Sequence, residues 1–209
     1  DDEFRLKERF PWLAAAEDIA KDQGFFHWEL MFAQIFKAGG FDLQVGNPPW
    51  VRPRWEEAGV LAELEPWFKL TEKPNLDEWQ QKRHALLGRS FSCSYYLHEL
   101  SSNVGRVEFI KSANYPILTG TQPDLYRAFM CQVWSHARPL GTIGLVHPDT
   151  HFAGDKEGRL REEAYARLRI HGDFVNSGQR FFPRPVGDTA HFGVHVYGDP
   201  RDIDFEHLS

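Results

Sequence analysis

Asn47-Pro48-Pro49-Trp50 limits what this chain can fold into more than any other stretch of it. Neither proline has an N–H to give to a strand ladder, and each pushes the residue before it out of the helical region. Any regular element arriving from upstream must therefore stop at Asn47. What arrives is Phe41-Asp42-Leu43-Gln44-Val45-Gly46, where Phe41, Leu43 and Val45 alternate with Asp42 and Gln44 in the period of a strand. Asn47 is thus expected at the C-terminal mouth of a strand, in a rigid turn. In open α/β sheets that mouth is where ligands bind.

The rest of the chain supplies the frame for that turn. A short helix is expected over 13–22. A second runs from His27 to Lys37, because Trp28, Met31, Phe32, Ile35 and Phe36 fall on one helical face and Ala38-Gly39-Gly40 stops it. Residues 51–119 read as an insertion, helix-prone near 54–70 and 76–87 and without clear period afterwards. Gln122-Pro123-Asp124 opens a helix with Leu125, Ala128, Phe129, Val133 and Trp134 as its buried stripe. Arg138-Pro139-Leu140-Gly141 is expected to end it before a buried strand from Thr142 to His147. A helix near 158–169, a strand around Asp173–Asn176, a loop through Phe181-Phe182-Pro183 and a strand from His191 to Tyr197 follow. The order is that of an α/β fold whose last two strands form an antiparallel hairpin. Its first strand is an exposed edge unless something further pairs with it.

Composition narrows the setting. Hydrophobic residues make up 42% and charged residues 26% of the 209, as in soluble globular chains. No run approaches the roughly 20 apolar residues of a membrane span, and no signal-peptide pattern opens the chain. Cys93 and Cys131 stand far apart with no metal-ligand company, which fits a reduced cytoplasmic setting better than a disulfide framework. A net charge of −6 opposes phosphate binding by the chain as a whole. Arg52 and Arg54 directly after the tetrad, and Lys156, Arg159 and Arg161 later, supply cations locally. His147 and His151 are four residues apart, but Pro148 between them at a strand end rules out one helix face, so no metal site is expected. His27 and Glu29 flank an apolar helix stripe and read as structural. The chain opens on Asp1 and closes on Glu206-His207-Leu208-Ser209, which reads as part of a larger protein.

The segment Phe41-Asp42-Leu43-Gln44-Val45-Gly46-Asn47-Pro48-Pro49-Trp50 resembles the catalytic motif of DNA adenine-N6 methyltransferases: Asn or Asp, Pro, Pro, then an aromatic. Further segments follow in the family's order. Asp124-Leu125-Tyr126 with Phe129 is similar to the helix start after the motif. Pro139 to Pro148 is similar to the next Gly-strand-Pro segment. Phe182-Pro183, with the strand ending Val194-His195-Val196, resembles the segment whose Phe stacks on the target base. His27-Trp28-Glu29-Leu30 before the strand resembles large bacterial restriction-modification and phage-defence methylases. Together these span most of residues 25–198.

The resemblance implies a partial Rossmann-like methyltransferase sheet, comprising its later strands, with a mostly helical insertion. It places lead-in helices and the catalytic strand in 1–50, the insertion in 51–119 and the remainder of the domain in 120–209. It implies S-adenosylmethionine as methyl donor and double-stranded DNA with a flipped adenine as substrate, in the bacterial cytoplasm beside the nucleoid. An exocyclic adenine amine is a poor nucleophile, its lone pair being delocalised into the ring. Acceptors against its two N–H bonds favour the pyramidal geometry that attacks. The Asn47 side-chain oxygen and the Pro48 carbonyl would supply them, pre-set by Pro48 and Pro49. Trp50 and Phe182 would stack on the base, and Arg52 and Arg54 would meet phosphates. The family's glycine-rich cofactor loop and ribose-holding acid are not found before the motif, nor a target-recognition domain after it. Beyond Asn47, the cofactor pocket and that domain are therefore expected in other parts of the parent protein, and this segment alone is expected to be inactive. Two other readings stay open: a methyltransferase acting on protein glutamine or ribosomal RNA, which shares the tetrad, and a non-catalytic DNA-binding or assembly module with a degenerate methylase core.

Overall fold

The computed structural model describes residues 2–111 and 114–209. The chain divides into two compact units, Asp1–Phe41 and Asp42–Ser209. The first holds helices α1 (Asp2–Arg9), α2 (Trp12–Gln23), α3 (Trp28–Met31) and α4 (Ala33–Lys37). The helix expected over 27–37 is two helices, because Phe32 leaves the helical region at φ −115°, ψ 37°. The break serves an aromatic cluster. The rings of Trp28 and Phe32 stack at 5.5 Å, and Phe41 meets both edge-on at 5.9 and 5.4 Å. Gly39 and Gly40, at φ 101° and 118°, turn the chain from α4 towards the first strand in a conformation other residues resist.

Strand β1 (Phe41–Gly46) ends where the prolines require it to. Four helices follow: α5 (Glu57–Ala62), α6 (Trp67–Leu70), α7 (Leu76–Leu87) and α8 (Ser90–Lys111). They pack around a core of their own, Leu61, Phe68, Leu86 and Tyr96, with Trp55, Trp67 and Trp79 against it. Asn75 caps α7, its Oδ1 accepting from the Asp77 N–H at 2.9 Å. Tyr96 and Arg83 both donate to Glu57 Oε1, at 2.5 and 2.8 Å, and so tie α5, α7 and α8 together. The 22-residue α8 has no matching sequence pattern, since Phe91, Leu97, Val104 and Phe109 are exposed while Ser92 is buried.

A single 3-10 turn at Pro116–Leu118 leads to α9 (Leu125–His136), β2 (Ala137–His147), α10 (Thr150–Ala153), α11 (Gly158–Arg167), β3 (Leu168–Val175), β4 (His191–Tyr197) and β5 (Glu206–Leu208). The sheet order is β1-β2-β4-β3-β5. β4 pairs antiparallel with both β2 and β3, and β5 joins β3 in parallel. Mixed α/β with an antiparallel β3–β4 hairpin is consistent with a partial Rossmann-like methyltransferase sheet. Strand β2 begins at once after α9, so Arg138-Pro139-Leu140-Gly141 lies in a strand and not in a helix-ending turn. Its ladder to β4 starts only at Ile143, opposite Tyr197, because Pro139 has no N–H and Leu140 sits at φ 65°. Tyr126, Met130, Ile143, Leu145, Leu160, Ala164, Leu168 and Tyr197 form the core between the sheet and helices α9 and α11.

In β1 the covered side is not the apolar one. Leu43 and Val45 are 61% and 79% exposed, whereas Gln44 turns inward and gives its Nε2 proton to the Val133 carbonyl at 2.8 Å. An edge strand whose apolar side chains stand in solvent is the natural place for further protein to pair.

Candidate active site

The tetrad emerges from β1 into a loop held from three sides. The Trp50 indole N–H donates to the Val146 carbonyl on β2 at 3.2 Å. The Val51 carbonyl accepts from the Leu125 N–H at 3.0 Å, fixing the loop to the start of α9. Arg52 Nε donates to Asp124 Oδ2 at 3.1 Å, and its Nη1 reaches Gln122 Oε1 at 3.4 Å. Pro48 is buried in this arrangement, while Asn47 and Pro49 are exposed. The Asn47 amide has no hydrogen-bond partner among the described residues, so it faces outward with its donor and acceptor atoms available.

Trp50 is half-buried, with one edge anchored and the ring against two phenylalanines. Phe192 on β4 lies 5.8 Å from it at a 34° tilt, and Phe182 stands edge-on at 4.8 Å. The neighbouring Phe181 is more exposed and packs on Phe174 and Phe192 instead. Two residues 132 positions apart, Trp50 and Phe182, thus share one aromatic corner at the mouth of β1. A base stacked between them must move Phe182 aside, since the two rings now touch.

Asn176, at the end of β3, holds Phe182 in place. It is fully buried and makes four hydrogen bonds to the Phe181–Gly187 loop. Its Oδ1 accepts from the N–H groups of Phe181 and Phe182 at 3.2 and 3.0 Å, and its Nδ2 donates to the carbonyls of Phe182 and Gly187 at 2.9 and 3.0 Å. Sequence reasoning did not single it out. The available signal was an Asn before Ser177-Gly178, a turn-forming pair directly after a strand.

The two arginines after the tetrad differ. Arg52 is committed to Asp124, so a phosphate would have to compete for it. Arg54 is exposed, its backbone carbonyl accepting from Asn103 Nδ2 at 3.2 Å. Asp124 stands at the N-cap position of α9 but makes no side-chain cap bond. Burial pushes its carboxyl above the ordinary range, although Arg52 and Arg127 pull the other way. Tyr126 is fully buried, with its hydroxyl 3.0 Å from Thr150 Oγ1.

His147 and His151 do not share a ligand position. His147 Nδ1 lies 3.0 Å from the Pro148 carbonyl and Nε2 lies 3.1 Å from the Tyr197 hydroxyl, so both ring nitrogens are occupied. Burial, with His195 and His151 alongside, holds His147 neutral well below the usual histidine range. A different trio, Asp149, His171 and His195, brings its donor atoms within 4.8 Å of one another. For S-adenosylmethionine the described residues offer only the mouth of β1 at Asn47. No strand precedes β1 among them, and therefore no strand-turn-helix to cradle a nucleoside. The described residues by themselves therefore do not fit that cofactor.

Residues 3–84 match the family model described as Eco57I restriction-modification methylase. The match runs from α1 through β1 and the Asn-Pro-Pro-Trp loop into α7; it covers less than half of the chain and makes that part similar to restriction-modification methylases. No curated protein shows a significant match to it.

Proposed function

We propose that this chain forms the base-binding side of a DNA adenine-N6 methyltransferase in a restriction-modification or phage-defence enzyme. One observation carries the reading: the unpartnered Asn47 amide is presented beside the anchored Trp50 indole at the end of an α/β strand. The Asn47 oxygen and the Pro48 carbonyl accept the two amine protons of a flipped adenine and keep its nitrogen pyramidal for attack. The buried ring of Pro48 fixes both acceptors before substrate arrives, so little reorganisation is required in the transition state. Trp50 stacks on one face of the base, and Phe182, swung away from its present edge contact, covers the other. Arg54 is the better placed of the two arginines for phosphate. S-adenosylmethionine supplies the methyl group in this reading, and its pocket lies mainly outside residues 1–209. The exposed Leu43 and Val45 on the free edge of β1 favour pairing with that further part.

The test is mass spectrometry of nucleosides from cells expressing the gene that encodes this sequence, wild type against Asn47→Ala. N6-methyladenine in wild-type DNA and its loss in the variant are expected. Unchanged N6-methyladenine in Asn47→Ala overturns the role of Asn47. Its absence from wild-type DNA, with new methylation on protein glutamine or ribosomal RNA, overturns the substrate. No methylation of any of the three points to a binding module.

A further inference from the structure

The helix-covered face of the sheet carries a group of imidazoles that the proposed methyl transfer does not use. His195 on β4 and His151 on α10 are both 0% exposed, and His171 lies opposite His195 in the β3–β4 ladder. Asp149, in the turn after β2, sits over them. Its Oδ1 is 3.0 Å from His195 Nε2 and its Oδ2 is 3.5 Å from His171 Nε2. These are approaches without hydrogen-bonding direction. Asp149 Oδ1, His171 Nε2, and both ring nitrogens of His195 and of His151 are buried with no hydrogen-bond partner among the described residues. Six such atoms in one place are far more than a folded core tolerates without compensation.

The surroundings are built around that convergence. A methyl group on Gly193 would overlap both the His195 ring and Asp149 Oδ1, so only glycine lets the carboxylate and the imidazole meet there. His207 on β5 places its Nδ1 3.1 Å from His171 Nδ1. With the proton of that bond on His171 Nδ1, its Nε2 turns a lone pair towards Asp149. A hydrogen bond on the far nitrogen is how ligating histidines are usually oriented. The three donor atoms lie within 4.8 Å of one another, and an ion about 2.1 Å from each would draw them to roughly 3.4 Å, a closure within side-chain rotation.

We propose that Asp149, His171 and His195 bind a divalent transition-metal ion of the zinc class, which pins the turn after β2 to the middles of β3 and β4. Two imidazoles and one carboxylate suit such an ion and leave a fourth position to water. The site is structural. The residue beside Gly193, Phe192, projects from the opposite face of β4 and packs on Trp50, so the ion stiffens the strand behind the aromatic corner without touching the base. This departs from the metal-free expectation drawn from the His147–His151 spacing, and it does not depend on the proposed methyl transfer.

The experiment titrates the chelator-treated 209-residue chain with Co2+ and then displaces it with Zn2+. Saturable binding of one ion per chain, visible absorption of low-coordinate Co2+ and a raised melting temperature with Zn2+ are expected. X-ray absorption of the zinc-loaded wild-type chain is expected to show two imidazoles among oxygen ligands. Asp149→Asn and His171→Gln, checked for folding by circular dichroism, are each expected to weaken binding by about 10- to 100-fold. The exposed His84→Gln is expected to leave it unchanged. Absence of saturable one-to-one binding by the wild type, an absorption spectrum without imidazole, or undiminished affinity in a folded variant overturns the proposal.

Discussion

The ring of Phe182 stands edge-on to the indole of Trp50, with centroids 4.8 Å apart and planes at 65°. The contact joins the loop after β1 to the loop after β3. Any flat group stacking on that face of the indole must first displace Phe182. The indole is the fixed member, tied through Nε1 to Val146, whereas Phe182 depends on a loop held by one side chain.

Trp50→Ala removes the fixed member. Stacking on an aromatic is worth about 1–3 kcal/mol per base, so kcat/KM for DNA methylation is expected to fall about 10- to 100-fold. Trp50→Phe should recover part of that loss, since the π-face returns without the Val146 hydrogen bond. Steady-state methylation by the parent enzyme checks this, and equal losses in the two variants would argue against stacking.

Asn176→Ala removes four hydrogen bonds and leaves buried backbone groups of the Phe181–Gly187 loop unsatisfied. A loss of about 2–4 kcal/mol is expected, measured by urea denaturation of the chain. Asn176→Asp keeps the acceptor for the two N–H groups but sets a carboxylate oxygen against the carbonyls of Phe182 and Gly187. It should therefore be no milder. Amide hydrogen exchange of Phe181 and Phe182 is expected to speed up in both variants.

Arg127 and Glu157 form a buried ion pair at 2.6 Å, with Arg127 Nε also donating to the Tyr126 hydroxyl at 3.1 Å. Breaking such a pair from one side strands the other charge. Glu157→Ala or Arg127→Ala is expected to cost about 3–5 kcal/mol. Glu157→Gln, which keeps an acceptor for Arg127, should cost less. A methyl group on Gly154 would overlap the Glu157 carboxylate, so Gly154→Ala should destabilise through the same pair. A double-mutant cycle between Gly154→Ala and Glu157→Ala is expected to show strong non-additivity.

Burial pushes the Cys131 thiol up to about 12, against the pull of Arg167. The thiolate is the reactive form, so at pH 8 Cys131 should be modified by a thiol reagent at least about 100-fold more slowly in the folded chain than in urea. Mass spectrometry of the labelled peptides reads this directly. Rapid native-state labelling of Cys131 would show that α9 is not packed on the sheet as described.

Much of the frame was legible because local rules dictate it. Two adjacent prolines end β1 at Gly46 whatever surrounds them. Alternating Phe192, Val194 and Val196 locate β4, and the spacing from Leu125 to Trp134 locates α9, but neither names the covered face: Val194 and Phe129 are exposed, whereas His195 and Tyr197 on β4 and Tyr126, Arg127 and Met130 on α9 are buried. Where cover comes from distant chain, the pattern misled or fell silent. The alternation of Leu43 and Val45 located β1 but did not say which side is covered, and both stand in solvent, since an edge strand's burial depends on what packs and pairs with it. Helix α8 shows no apolar stripe, because its buried face is made by Tyr96, Ser92 and Ile110 against separate neighbours.

What the sequence by itself determined is the turn: Asn47 at a strand's end, its backbone held by Pro48 and Pro49, with Trp50 next in line. Steric exclusion within a few residues is enough to fix that. Only the tertiary structure decided what the turn faces. It brought Phe182 to Trp50, engaged Arg52 with Asp124, locked the Phe182 loop on Asn176 and gathered Asp149, His171 and His195 beneath β4. Those choices rest on side chains meeting across 5 to 132 residues of chain, through packing and hydrogen-bond partners that no local periodicity encodes.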